Sequence, residues 1–314
     1  MNDKIDIVYT WVDGNDPDWS AKKKTYFKDS SIFENDIADQ AGDIRYVENN
    51  ELKYSLRSIE KYAPWVNKIF IITDNQKPSW LKDHEQIKII DHTEIIPAEY
   101  LPTFNSSVIE AHLHNIDELS EKFIYFNDDM FLGCPSKPSD FFKNDKPRVF
   151  TSSILKKKRK IKSNLTYNQL AIYKSREFIE NHYNIQLGYG LKHGIRPMIK
   201  SRLKEVSDKF FYIYQGFLND KFRLNPFSLI YLYEFNELAE KRGKRKYLRN
   251  IRNHNLLKFI PGFYHLSDKN LDYFLTNYKK LSPLVFCINE VETNLDEYAI
   301  FSHGPLRQKF KAEK

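Results

Sequence analysis

At 314 residues, with 41% hydrophobic and 15% aromatic side chains, the chain can bury a sizeable core, which excludes a disordered polypeptide as the default reading. A formal net charge of +7 invites an anionic partner, whether nucleotide, phosphate, lipid surface or nucleic acid, without choosing among them. The two cysteines, Cys134 and Cys287, stand far apart with no metal-ligand spacing, a usage that fits a reducing compartment.

No basic and apolar leader opens the sequence, and apolar runs such as 69–72 are too short to cross a bilayer. The expectation is a cytoplasmic protein, with a peripheral place at the inner face of the plasma membrane open to its basic segments. Residues 5–10, IDIVYT, read as a strand that passes into Trp11-Val12-Asp13-Gly14 and the turn chemistry of NDPDW. Such a first loop either recognises a nucleotide or is an ordinary turn. Residues 20–46 are polar, with little periodicity, and read as a helix and an irregular insert. Asn50 stands as a cap before Leu52, Leu56 and Ile59, an apolar face at helical spacing on which Tyr54 and Arg57 are close.

Residues 68–73, KIFIIT, form the next strand and end in Asp74-Asn75-Gln76, and residues 87–90 form a third before Asp91. The Thr103-Phe104-Asn105-Ser106-Ser107 cluster caps a helix expected to run through Ile109, Leu113, Ile116 and Leu119. His112 and His114 lie two apart on it, face different directions and read as surface or packing residues, not a chelating pair. Then comes FIYFNDDMF, residues 123–131, a buried strand that runs into Asn127, Asp128 and Asp129. Adjacent carboxylates are costly unless a cation or hydrogen bonds compensate them. The plain alternative is a strand followed by a helix-capping Asp.

Three strand ends thus carry polar loops: WVDG, TDNQ and NDD. The alternation of strand and helix predicts an α/β, Rossmann-like, mainly parallel doubly wound sheet, on whose carboxyl edge the loops converge. This core is expected over residues 1–155. A mainly helical region is expected over 156–283, and a return strand with tail over 284–314. The second region opens on the basic run KKKRK at 156–160, a solvated loop or an anion contact, and continues as a helix over 167–183. A further helix follows Pro226, and residues 241–258 hold eight Lys or Arg and no acid. Residues 284–288 read as one more short strand, ending in Asn289-Glu290.

Four stretches together resemble the Stealth proteins. IDIVYTWVDG is similar to the first conserved region of that family. NNELKYSLRSIEKYAPWVNKIFIITDNQ, continuing through LPTFNSSVIEAHLHNI into FIYFNDDMF, resembles the second, roughly residues 49–133. HGIRPMIKSRLKEV with Lys221-Phe222-Arg223 resembles the third, and Phe286-Cys287-Ile288-Asn289-Glu290 the fourth. The chain departs from the pattern at Leu224-Asn225-Pro226, where the family often carries acids, and at Glu290, where Asp is usual.

The resemblance implies a GT-A-like fold and a sugar-1-phosphate transferase of bacterial capsule and surface-polysaccharide synthesis. The animal lysosomal-enzyme N-acetylglucosamine-1-phosphotransferase is a relative. It implies that an acceptor hydroxyl attacks the sugar-bearing phosphorus of a UDP-sugar and that UMP leaves. Asp128 and Asp129, with Glu290, would hold Mg²⁺ or Mn²⁺, as carboxylates beside substrate phosphates do. Asp128 would also be catalytic, His193 would serve as general base, and Arg223 would stabilise charge on the transferring phosphate. Trp11, Asp13, Gly14, Asn50, Arg57, Asp74, Asn105, Asn127 and Asn289 would complete the substrate crevice.

Without the resemblance, His193 reads as a surface histidine beside a glycine turn and Arg223 as a structural arginine. The acceptor is expected to be a glycan or lipid-linked glycan. The basic segments suit an anionic acceptor or a membrane face, although a solvated helix face is the plain reading of the same charges. A conventional metal-dependent glycosyltransferase would carry a similar strand-end acidic motif, but would attack at the sugar carbon and release UDP. A nucleic-acid-binding protein is invited by the charge and the abundant Tyr and Phe. The aromatics fall mostly at core spacing and no nucleic-acid motif is present, so no nucleic-acid partner is expected.

Overall fold

The computed structural model describes residues 4–28, 46–151, 165–192, 194–247, 263–266, 274, 277 and 280–288. The chain runs β1 (Ile5–Thr10), α1 (Pro17–Lys28), α2 (Glu51–Tyr62), β2 (Ile69–Thr73), β3 (Ile87–Asp91), α3 (His92–Ile95), α4 (Ser106–Ala111), β4 (Lys122–Asn127) and β5 (Met130–Leu132). It continues through β6 (Phe142–Lys143), β7 (Lys146–Thr151), α5 (Tyr167–Tyr183), β8 (Arg196–Ile199), α6 (Lys200–Tyr214), α7 (Leu229–Ala239), β9 (Lys244–Tyr247), β10 (Phe263–Leu266) and β11 (Val285–Ile288).

The central sheet has the order β3-β2-β1-β4-β8, with β3, β2, β1 and β4 parallel and β8 antiparallel to β4. Successive side chains of a strand point to opposite faces. Ile7, Tyr9, Ile69, Ile71, Ile124 and Phe126 accordingly pack on one side with Leu52, Leu56 and Ile59 of α2. Val8, Phe70, Ile72, Phe123 and Tyr125 pack on the other with Val108 of α4, Leu203 and Val206 of α6, and Leu229 and Leu232 of α7. Both faces are covered, which is why these strands read as unbroken apolar runs. The expected α/β, mainly parallel, doubly wound sheet is the observed one.

Two small sheets flank it. One has the order β10-β11-β5, with β11 antiparallel to β5, and the other β6-β7-β9. Segments from beyond residue 155 therefore complete the central sheet through β8 and brace β5 through β11. Strands β8, β9 and β10 arise where the sequence suggested helix or basic loop. Pro197 is tolerated in β8 because that strand lies at the sheet edge, where one side needs no ladder hydrogen bonds.

The helix expected to reach Leu119 stops at Ala111. His112 ends it: its backbone leaves helical geometry and its ring nitrogen, 2.8 Å away, bonds the Val108 carbonyl. His112 is buried, which makes it a packing residue. Asn50 does not cap α2 through its side chain; it sits in the left-handed region at φ 68, while the Asn49 N–H donates to Glu51 Oε2 at 2.6 Å. Thr166 and Gln169 form a capping box at the start of α5, and that helix covers the residues expected of it. The KKKRK run lies outside the described residues. No helix among the described residues is long and apolar enough to cross a membrane.

Candidate active site at the carboxyl edge of the sheet

In register, Thr10 of β1 pairs with Ile72 of β2 and with Asn127 of β4, so the WVDG, TDNQ and NDD loops leave one edge together. The side-chain amide of Gln76 bonds both main-chain groups of Asp13, at 3.0 and 2.9 Å, and sews the second loop to the first. The Asp13 carboxylate accepts the Asn15 N–H at 2.8 Å. Gly14 donates its N–H to Tyr46 O at 2.7 Å, and a Cβ there would lie 2.4 Å from that oxygen, so the close approach demands glycine. The Trp11 ring is buried, and its Nε1 meets no acceptor among the described residues. Asp74 is held by Lys22 of α1 at 2.6 and 2.8 Å, which commits its carboxylate to that helix.

The NDD turn carries the chain from β4 out of the central sheet into β5. Two serines of α2 receive it. Ser55 Oγ bonds Tyr9 Oη at 2.7 Å and donates to Met130 O at 2.5 Å, while Ser58 Oγ accepts the Leu132 N–H at 3.0 Å. From the far side β11 grips the turn: Ile288 N–H donates to Asp129 O at 3.0 Å, and the Cys287 thiol donates to Asp129 Oδ2 at 3.1 Å. Asp128 Oδ1 accepts the Asp129 N–H at 3.1 Å. Asp129 Oδ1 is closed off from solvent and has no hydrogen-bond partner among the described residues.

Charge gathers around this turn. Burial drives Asp128 well above the carboxylate range, and the charges of Asp129, Glu51 and Glu48 add to the effect. Burial also pushes Asp129 up to about 7 against the Cys287 hydrogen bond, and Glu48 up to about 7 with help from Glu51 and Asp13. Glu48 Oε1 is likewise buried without a hydrogen-bond partner among the described residues. Dehydrated, mutually repelling carboxylates with a free oxygen fit a hard divalent cation. Among the described residues, no group of three or more His, Cys, Asp or Glu is arranged to hold a metal alone. Mg²⁺ takes one or two carboxylates and fills the rest of its shell with water and substrate phosphate.

Arg223 lies within electrostatic reach of Glu110 of α4. Asp220 folds its loop by accepting the N–H groups of Phe222, Leu224 and Asn225 at 3.3, 2.9 and 2.7 Å, with Arg223 left-handed at φ 59. The guanidinium lies 4.4 Å over the Tyr167 ring and donates to Asn168 Oδ1 at 3.0 Å. Its Nε is buried with no acceptor among the described residues. The fully buried Asn105 caps α4 through the Ser107 N–H at 3.1 Å and donates to Asp220 O at 2.8 Å, so both ends of its amide hold walls together. Phe104 and Phe222 stack beside it at 5.3 Å, in an aromatic cluster with Trp19 that also receives Val12 and Tyr46. The Arg223 loop is thereby tied to the WVDG loop.

Glu110 of α4 joins Arg223 to the strand edge. It accepts the Tyr125 hydroxyl at 3.0 Å, and Tyr125 Oη lies 2.9 Å from Thr10 Oγ1 at the end of β1. The charges of Glu110 and Asp128 both act on Tyr125, while Arg223 acts on Glu110. Burial outweighs Arg223 and pushes Glu110 from 4.5 up to about 6. A carboxyl raised in the fold adds stability below its unfolded pKa and loses it as pH rises through the folded one. Stability should therefore fall between pH 4.5 and 6 by at most about 2 kcal/mol on this account. Denaturant melts of Glu110→Gln across that window should show the fall reduced; an unchanged slope would remove Glu110 from the balance.

Sequence reading gave no site role to Glu48, Glu51 and Glu110, and met Cys287 only as a lone cysteine within the fourth-region motif. The available signal for Glu110 was an acid set among Val108, Ile109 and Ala111 on an apolar helix. Arg57 is buried with its guanidinium 4.7 Å over Tyr54, and Asn50 stands at the start of α2. His193, Asn289 and Glu290 lie outside the described residues.

The family profile for Stealth protein conserved region 1 matches residues 3–29, and that for conserved region 2 matches residues 45–150. A capsular polysaccharide phosphotransferase of Haemophilus influenzae, fcs1, is 45% identical over 224 residues, which are 70% of this chain and 60% of that protein. The chain thus spans less than two thirds of that relative's length. A capsular polysaccharide phosphotransferase of Actinobacillus pleuropneumoniae, cps1A, is 40% identical over 294 residues, 90% of this chain and 79% of the relative. Among solved structures, the galactosyltransferase LgtC with donor and acceptor sugar analogues aligns at 10% identity and a TM-score of 0.41, over 90% of this chain and 86% of the other. With identity of this extent, and with two conserved regions lying over the WVDG, TDNQ and NDD loops, the chain belongs to the Stealth family of capsular polysaccharide phosphotransferases.

Proposed function

We propose that the protein transfers a sugar-1-phosphate from a UDP-sugar to a hydroxyl of a capsular or cell-surface glycan, forming a phosphodiester and releasing UMP. One observation carries this reading: a carboxylate pair with a free buried oxygen at Asp129 and an arginine with a free buried Nε at Arg223 are linked through Tyr125 and Glu110. Phosphoryl transfer asks mainly for positioning and charge neutralisation, and these are the groups that provide both.

In the reaction, the acceptor oxygen bonds to the sugar-bearing phosphorus as the bond from that phosphorus to the bridging oxygen breaks, and UMP leaves with the bridging oxygen. His193 takes the hydroxyl proton as general base. Arg223 offers its planar fork to the phosphate oxygens that gain charge. Asp128 and Asp129, with Glu290, would hold Mg²⁺ or Mn²⁺, which would neutralise charge on the diphosphate. We assign donor contact to Trp11, Asp13, Gly14, Asn127 and Asn289. Asn50 and Arg57 belong to the α2 flank, and Asp74 and Asn105, whose polar groups are engaged by Lys22 and by Ser107 and Asp220, hold the walls in place. The basic segments would meet an anionic glycan or the membrane face where lipid-linked glycan is assembled.

The test is a panel of UDP-sugars with oligosaccharide acceptors, read by chromatography with and without chelator. UMP that appears only with Mg²⁺ or Mn²⁺ is expected. UDP in its place would assign a conventional glycosyltransferase, and salt-sensitive RNA or DNA binding without turnover would assign neither.

A further inference from the structure

We propose that Cys287 is a positioning residue: its thiol turns Asp129 so that a single carboxylate oxygen, Oδ1, faces the cation and diphosphate. The inference rests on the cation reading of the Asp128–Asp129 turn given above.

A buried cysteine ordinarily behaves as a small hydrophobe. Cys287 is fully buried in β11, between Phe286 and Ile288, and its thiol is directed at a carboxylate. The Sγ–Oδ2 separation is 3.1 Å, and the next residue's N–H holds the Asp129 carbonyl at 3.0 Å. Strand β11 therefore fixes both the main chain and the side chain of one residue that lies 158 positions earlier.

The partition of oxygens follows. Oδ2 is occupied by the thiol, whereas Oδ1 is shut off from solvent with no hydrogen-bond partner among the described residues. An apolar side chain at position 287 would leave both oxygens unsatisfied and the carboxylate free to rotate. A thiol is a weak donor. It can orient the carboxylate while leaving most of its charge for a ligand at the other oxygen. Groups that orient a metal's ligands typically contribute about 10–100-fold to affinity.

Mn²⁺ binding is to be measured by calorimetry in the presence of UDP on wild type, Cys287→Ser, Cys287→Ala, Cys287→Val and Asp129→Asn, with thermal melts in chelator to establish folding. Loss of the donor in Ala or Val should weaken Mn²⁺ about 10–100-fold, and Ser, which retains a donor, should stay within about threefold of wild type. Val fills the sulfur's space and carries the test if Ala does not fold. Wild-type affinity in folded Ala or Val overturns the proposal, as does a loss in Ser equal to that in Ala. Tighter Cd²⁺ binding that depends on the sulfur also overturns it, by making Cys287 a ligand. Mn²⁺ binding absent from wild type, or unaffected by Asp129→Asn, overturns the cation reading itself and the proposal with it.

Discussion

Asp128→Asn should lower turnover of a UDP-sugar by about 10³-fold while making the metal-free protein more stable. A bound cation supplies several kcal/mol of charge stabilisation in phosphoryl transfer, and about 1.4 kcal/mol corresponds to a factor of ten. Asn keeps the shape of Asp and can still accept the Asp129 N–H, so the turn need not move. What it loses is the charge that repels Asp129, Glu51 and Glu48.

The stability half of the prediction has a definite sign. The Asp128 carboxyl is raised in the fold by burial and by those neighbours, so the native state binds its proton more tightly than the unfolded chain. Its contribution is favourable in acid and is lost as pH rises through the raised folded value. Without metal, wild type should therefore lose more stability than Asp128→Asn between acid and alkaline pH, and added Mn²⁺ should close the gap for wild type only. Melting curves with chelator and with Mn²⁺, beside UMP formation rates, check both halves. A folded Asp128→Asn with full activity would sink the proposed site.

Much of this site is legible because its first half is local in sequence. IDIVYT, KIFIIT and FIYF are unbroken apolar runs that only a strand covered on both faces explains, and each ends in polar residues that share one sheet edge. The polar loop residues of this half take partners that are distant in sequence. Asp74 bonds Lys22 and Asn105 bonds Asp220, pairings that no local pattern shows. Glu110 sits in a helix whose apolar pattern hides it, and its meaning depends on Tyr125 and Arg223. Cys287 meets Asp129 across 158 residues, a contact that no local spacing encodes. Strand β8 was obscured by Pro197, which local rules place outside a strand and which only an edge position permits.

Arg223→Ala should cost about 10³-fold or more in turnover, the scale set by arginines that neutralise a transferring phosphate. Arg223→Lys should recover only part, because a lysine keeps the charge but not the planar fork. The interaction is assigned to the transition state, so kcat and kcat/KM should fall together, with KM little changed. A merely structural arginine predicts otherwise. Its contacts among the described residues include a stack on Tyr167 and a bond to Asn168, and losing such contacts alone would lower the melting temperature and leave kcat near wild type. Asn105→Ala separates position from chemistry: it retains the guanidinium but removes the bond that ties Asp220, and with it the Arg223 loop, to α4. If Arg223 acts where the transferring phosphate lies, loosening its loop should lower kcat in a protein that still binds UDP-sugar. If folded Arg223→Ala turns over normally, the charge on the phosphate is met from elsewhere, and the Arg223 loop is scaffold alone.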